Sequence, residues 1–416
     1  MDTRTLKYLC SALVLALAAP GRCPAQESAS QVRFRAGMNW ELTQIVRSTN
    51  SRIGNPNDSA WLNGFWMQSV STDLYLDASV GKNLHAQIGW RGSIDFGLPS
   101  EMRDAWIAYS FGDSAAPGAT VKAGYFPYGY APENRILGEY MFKSGTYPGY
   151  VLNDDEDARI VGLLFTSRLP SILEHNLILT VEMDQRPAGD ISSTYIGKLG
   201  AGMVLEFNAG IMAHRWLRTG QGQAAQLNGS RYANAPVIEY GDTLDRTYQK
   251  AGTKLMGRMV FSPNKLIGSK ILGPEDLKLY AEAALLGVKN YGGFYDKISE
   301  RIPVMAGFNV PVFKVLDVLS VEAEYYGSPW RNNSTSEGAP IPYKGFDWQK
   351  GASGAVTENV IITDPTRQSA GDKGKTDNIK WSVYALKTIR NRLGISARIA
   401  SDHFNPGGIE RLHAPD

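Results

Sequence analysis

The chain has 416 residues, 43 basic against 41 acidic for a formal net charge of +2, and a mean hydropathy of −0.25. That near balance argues against a nucleic-acid partner and gives no strong sign preference for solutes. The only two cysteines, Cys10 and Cys23, lie in the first 25 residues, so the rest of the chain relies on neither disulfides nor thiolate metal sites.

The N-terminus reads as a removable export signal over residues 1–25. Arg4 and Lys7 form a basic start, residues 8–19 are an apolar run too short to span a membrane, and Cys23-Pro24-Ala25 offers small residues before Gln26. A lipid anchor on Cys23 is the competing reading, and Arg22 weighs against it by placing a bulky charge beside the cysteine. No later apolar run approaches the roughly 18 residues of a helical span.

Period-two alternation then begins. Val32, Phe34, Ala36, Met38, Trp40 and Leu42 point one way and Arg33, Arg35, Gly37, Asn39, Glu41 and Thr43 the other, giving one oily face and one wet, charged face. Residues 70–80 and 84–91 repeat the pattern around the turn Gly81-Lys82-Asn83, and residues 105–111 and 119–125 make a second hairpin. Further strands are expected at 158–166, 177–183, 201–213, 251–261, 277–285, 302–310, 319–325, 379–385 and 395–401. The total is about 14, with 12 or 16 also open because closed bacterial barrels favour even numbers.

Connections alternate between short, at 81–83, 168–175 and 388–393, and long, at about 127–157, 215–248 and 328–377. Trp40, Trp90, Tyr109, Tyr125, Tyr325 and Trp381 close the oily faces, as suits a lipid interface, whereas a soluble β-sandwich would hide those faces in a core. The expected fold is therefore all-β: a transmembrane antiparallel up-and-down β-barrel over residues 26–404, with long external loops and a C-terminal tail over 405–416.

The stretch Lys122-Ala123-Gly124-Tyr125-Phe126-Pro127-Tyr128-Gly129-Tyr130, continuing through Leu137-Gly138-Glu139-Tyr140 to Gly145-Thr146-Tyr147-Pro148-Gly149-Tyr150, resembles the strand-to-loop junction of porin-like outer-membrane proteins of Gram-negative bacteria. Residues 301–308 and 321–327 are similar to membrane strands of that class. The resemblance implies an outer-membrane channel for small hydrophilic solutes or ions, in contact with outer-membrane lipids and the barrel-assembly machinery, and is compatible with a homo-oligomer; it carries no particular solute. One departure concerns the C-terminus, where such barrels end on an aromatic residue but Phe404 is followed by residues 405–416. Placing Phe404 on the lipid face would put Arg398 and Asp402 there too, at about 2–4 kcal/mol for a basic residue near the midplane.

The alternation assigns Arg33, Arg35, Glu41, Asp73, Asp77, His85, Arg91, Lys122, Lys278, Glu282, Glu322, Glu324 and Lys380 to the interior, either lining water or pairing off in salt bridges. Glu322 and Glu324, two apart on one strand, would form an acidic strip. The 127–157 loop, with Glu133, Arg135, Glu139 and Lys143, either folds inward as a constriction or stays at the surface. The run Asp154-Asp155-Glu156-Asp157 lacks the glycine turn and distal glutamate of a calcium loop and reads as a solvated acidic turn, so no metal site and no cofactor are expected. Nor is an enzyme: the five histidines form no HExxH, and GxSxG, P-loop and dinucleotide fingerprints are lacking. The alternative to a channel is a plugged barrel whose outer loops contact glycans, phage or other cells.

Overall fold

The computed structural model describes residues 30–45, 65–93, 101–112, 117–143, 159–168, 172–182, 190–214, 216, 236–239, 242–247, 252–288, 297–327, 346–350, 356–362, 378–390 and 392–400. The export signal, the acidic run at 154–157, Phe404 and the tail lie outside them. Among the described residues no helix is long and apolar enough to cross a membrane, which says nothing of strands.

Among the described residues nineteen strands are numbered in chain order. Fifteen form one antiparallel up-and-down sheet: β1 (Gln31–Ile45), β2 (Phe65–Val80), β3 (Leu84–Ser93), β4 (Glu101–Phe111), β5 (Ala119–Pro127), β6 (Arg159–Ser167), β7 (Leu173–Glu182), β8 (Asp190–Leu199), β9 (Leu205–His214), β12 (Gly252–Phe261), β13 (Leu279–Leu285), β14 (Pro303–Asn309), β15 (Val318–Tyr326), β18 (Ile379–Ile389) and β19 (Leu393–Ala400). Each pairs with the next, so the meander expected from the hairpins extends through the whole wall. The remaining four, β10 (Pro236–Glu239), β11 (Asp242–Thr247), β16 (Phe346–Lys350) and β17 (Val356–Ile362), make a separate sheet in which β10 and β17 pair in parallel.

Two differences from the expected strands have plain causes. β8 is absent from the expected set because its alternation is weak: Ser193 and Gly197 interrupt its outer face while Ile196 sits inside, buried. The expected strand at 201–213 starts late, since Gly200 and Gly202 adopt φ of +72° and +75° in the turn that precedes Leu205. The second sheet falls in the two longest connections, where short strands lack the repeated alternation that betrays a wall.

The wall must curl. Tyr130, three residues beyond the end of β5, donates its hydroxyl to Glu282 on β13 at 2.6 Å. At about 4.8 Å per strand, six steps across a flat sheet would separate β5 from β13 by about 29 Å. Three residues span at most about 10 Å, so even extended side chains would fall short. The sheet therefore wraps around the segment that follows β5. Its two ends, β1 and β19, run in the same direction because the number of alternating strands is odd, and among the described residues neither has a second partner strand.

Facing follows the expected parity. Phe34, Leu74, Ile107, Tyr195, Ile211 and Val321 are exposed on the outside, while Ile178, Ile196, Met212 and Met256 are buried on the inside against the loop. The C-terminal register resolves one difficulty. Arg398 lies opposite Tyr384, next to the position of Ser382, whose hydroxyl bonds inward to Glu322, whereas Ile395 and Ile399 are exposed on the other face. Arg398 thus avoids the apolar outer face.

Candidate functional site

After β5 the chain turns inward. Residues 128–139 and a single helical turn, α1 (Tyr140–Lys143), pack against the inner faces of the wall. Tyr128, Tyr130, Leu137, Tyr140, Met141 and Phe142 are buried, and the Phe142 ring meets the Tyr128 ring edge-on at 5.3 Å. An apolar cluster therefore occupies part of the enclosed space, and it takes in Phe126 and Ile160 of β5 and β6 and Met305 and Tyr326 of β14 and β15.

Two wall carboxylates hold this loop. Glu322 accepts the backbone N–H groups of Arg135 (2.6 Å), Ile136 (2.9 Å) and Leu137 (2.9 Å), along with the Tyr280 hydroxyl (2.9 Å) and the Ser382 hydroxyl (3.1 Å). Glu282 accepts the N–H groups of Glu139 (3.2 Å) and Tyr140 (2.9 Å) as well as the Tyr130 hydroxyl. Glu324 receives the Tyr140 hydroxyl at 2.7 Å. Successive N–H groups converging on one anion form a nest, and each bond to a charged acceptor is stronger than a neutral one. Gly138 at φ +88° and Glu139 at φ 58° bend the chain between the two carboxylates. A side chain at Gly138 would strike Asn134 at 2.2 Å.

Gly307 has a different task. It separates Tyr280 and Glu322 in the register of β13, β14 and β15, and the Tyr280 ring crosses directly above it. A Cβ there would lie 2.2 Å from the ring, so only glycine lets the hydroxyl reach Glu322.

Buried charges are balanced around the anchors. The Arg258 guanidinium bonds Glu133 at 2.6 Å and lies 4.0 Å from Glu282; Lys278 bonds Glu275 at 2.8 Å and lies 3.6 Å from Glu133. Arg135 lies 3.7 Å from Glu275 and stacks over the Tyr384 ring. Lys254, Arg301 and Lys380 are buried, Lys380 opposite Glu324 in the register. Burial alone would raise the Glu133 carboxyl, but Arg258 and Lys278 outweigh it and hold the group below the usual carboxylate range. Burial pushes the Tyr130 and Tyr140 phenols well above theirs.

The other expected interior residues occupy the β1–β6 wall. Arg35 bonds Asp77 (2.9 Å through one nitrogen) and Gln87 (3.2 Å), and Gln87 reaches Asp104 at 2.9 Å. Arg91 bonds Asp73 at 2.8 and 3.1 Å, and Arg103 approaches the same carboxylate at 3.2 Å. Lys122 lies 4.1 Å from the Trp106 ring centre, and the His85 ring bonds Ser79. Arg33 is exposed at the start of β1. Glu41 pairs with Ser69 along the backbone; its side chain, like that of Lys143 at the end of α1, lies outside the described ones.

One expectation needs correcting. Glu322 and Glu324 do not form an open acidic strip; the loop covers them, leaving them 1% and 5% exposed, because loop N–H groups and tyrosine hydroxyls take the positions water would hold. Tyr130, Tyr140, Tyr280 and Gly307 are not among the site residues expected from the sequence. The parity of Tyr280 with Lys278 and Glu282 is the signal that points to it; Gly307 carries no signal without its cross-strand neighbours. Among the described residues no group of three or more His, Cys, Asp or Glu is placed to hold a metal ion.

No family model matches the chain, and neither does any curated protein. Solved structures similar to it include mutants of a Rh. blastica porin, one at TM-score 0.45 and 8% identity over 90% of this chain and 95% of that one. Another is Salmonella typhi OmpF in complex with daunomycin, at TM-score 0.44 and 8% identity over 89% of each chain. At these values the likeness transfers neither solute nor site residues.

Replacing Glu322 by Ala should release the loop, since each buried N–H left without an acceptor costs about 1–3 kcal/mol. Limited proteolysis should then cut within residues 128–143, where the parent chain resists. Gly307→Val should produce a milder form of the same sensitivity by displacing Tyr280. Because the Glu133 carboxyl is depressed, its pairing with Arg258 holds fully above the ordinary carboxylate value of about 4.3 and is lost as pH falls through the lower folded value. The contribution of Glu133 to proteolytic protection of the loop should therefore be unchanged between pH 7 and pH 5.5, lost only in stronger acid, and not present at all in Glu133→Gln.

Proposed function

We propose that the chain is a porin-like outer-membrane channel for passive diffusion of small hydrophilic solutes or ions, with residues 128–143 as its constriction. The observation that carries this reading is the inward loop, tied to Glu282 and Glu322 on one side of the enclosed space while the β1–β6 wall keeps accessible charges such as Arg35. A curled antiparallel wall with apolar residues outside and charged residues inside suits a bilayer around it and water within it. Residues 1–25 would direct export and be removed, residues 26–404 would form the barrel, and the barrel-assembly machinery and outer-membrane lipids would be its partners. Self-association into a homo-oligomer fits the same class.

A second reading has its own support. The apolar cluster around Met141 and Phe142 and the small sheet built from the longest connections suit a plugged barrel that displays its outer loops to glycans, phage or other cells.

Bilayer recording separates the two. Purified protein in a planar bilayer should give stepwise conductance, which Glu322→Ala should enlarge or make noisy by freeing the loop; well-inserted but silent protein would favour the plugged form. The membrane assignment has a separate check. Leu76→Arg, on the outer face, should lower the stability of the lipid-inserted protein by about 2–4 kcal/mol if it lies near the midplane, whereas Asp77→Asn, which weakens one partly exposed ion pair, should change it by no more than about 1 kcal/mol. Urea unfolding in vesicles reads both, and equal tolerance would mean that the facing is wrong.

A further inference from the structure

We infer that the rim of the shorter connections, between β9 and β19, is a docking surface for anionic phospholipid headgroups at the edge of the bilayer. This rests on the outer-membrane channel reading and names the lipid class that this edge of the wall recognises.

Three connections build the surface. Residues 262–278 join β12 to β13, residues 310–317 join β14 to β15, and Arg390 and Arg392 flank the turn from β18 to β19. They are tied into one unit. Asp276, 1% exposed, accepts the N–H groups of Gly273 (2.8 Å), Val312 (3.2 Å) and Phe313 (3.2 Å). Lys314 donates to the Lys270 carbonyl, and Lys387 donates to the Lys314 carbonyl at 3.0 Å. Within this frame Phe313 and Lys314 adopt φ of 52° and 64°, a left-handed conformation that side chains of their size disfavour, and both residues are exposed. The helical turn α2 (Asn264–Ile267) buries none of its residues.

Large apolar and basic side chains are interspersed on it. Leu266, Ile267, Ile271, Phe313 and Val315 are 57–73% exposed, which water disfavours and a bilayer interface accommodates. The patch continues the lipid-facing side of the wall, where Phe261 and its cross-strand neighbours Leu205 and Leu279 form the last exposed row. Between these apolar groups Lys265, Lys270, Lys314, Arg390 and Arg392 are exposed, and none of the five is in an ion pair among the described residues. Lys265 and Lys314 donate to carbonyls, which leaves their charge unneutralised. The acids nearby are engaged elsewhere: Asp276 by its three N–H groups, Glu275 by Lys278 at 2.8 Å, Glu206 by the Gly202 N–H at 3.1 Å, and Asp317 by the Thr388 N–H at 2.6 Å and Lys387 at 3.5 Å. Lys387 marks the level of the bilayer surface. Parity puts it on the outer face of β18, opposite Ile395, and its ammonium reaches up to the rim. Cations that rest their stems on apolar surface and hold their heads at its polar edge meet lipid phosphates there.

The test places a fluorophore on Ile271→Cys, with Cys10→Ser and Cys23→Ser, in the full chain reconstituted in phosphatidylcholine vesicles. At equal mole fraction, brominated phosphatidylglycerol should quench it about twofold more than brominated phosphatidylcholine, or better, and about 1 M salt should bring the ratio toward one. Lys265→Gln with Lys270→Gln and Lys314→Gln should abolish the preference at low salt. Equal quenching by the two lipids, or a preference that survives salt or the triple variant, overturns the inference. Quenching by neither lipid puts the rim in water or against a second copy and overturns it as well. In each of these cases stepwise conductance of the same protein leaves the channel reading standing, whereas a chain that stays outside the vesicles overturns both. The salt series on the labelled parent decides the matter even where the triple variant fails to assemble.

Discussion

The interior is organised by two carboxylates that accept backbone N–H groups. Glu322 and Glu282 meet a segment that has no secondary structure of its own apart from one helical turn, and a segment of that kind inside a wall must place its polar backbone somewhere. Three consecutive N–H groups directed at Glu322 and two at Glu282 solve that problem and set the path of the loop between them. The left-handed turn at Gly138 and Glu139, the passage of Tyr280 over Gly307, and the pairing of Arg258 with Glu133 all serve to keep those two anions in place or to offset their charge.

Wall and loop are stabilised by different physics. The wall rests on backbone ladders and on side chains sorted by parity. The loop combines an apolar cluster with charge-assisted hydrogen bonds in a dry pocket, where a satisfied polar network is rigid and an unsatisfied one is costly. This contrast explains why the β1–β6 wall can carry exposed arginines without structural penalty, whereas the buried glutamates of β13 and β15 are committed to holding the loop.

Most of the wall is legible in the sequence because alternation is written locally: Leu74, Leu76 and Val80 against Asp73, Tyr75 and Asp77 need no distant information. β8 is hidden because Ser193, Gly197 and the inward Ile196 blur that pattern. The interior residues of the site are legible as inward-facing positions, but their roles are not. Whether Glu322 meets water or a loop depends on residues nearly two hundred positions earlier, and period-two reasoning carries no information about such a contact. The inward fold of the loop is open on sequence grounds for the same reason, and the register of Arg398 is set only by its pairing with Tyr384.

The separation in sequence between the loop and its anchors has a consequence for how the molecule is made. The loop follows β5, but the carboxylates that seat it belong to β13 and β15, so loop and anchors meet only once the strands between them are in place. Contacts of such long range form late, because the entropy of closing so large a loop is lost before the bonds can repay it. The nascent wall is therefore wide and wet, and its narrowing comes near the end of assembly. Slowing the late steps of wall assembly should prolong an intermediate that is more permeable than the finished protein.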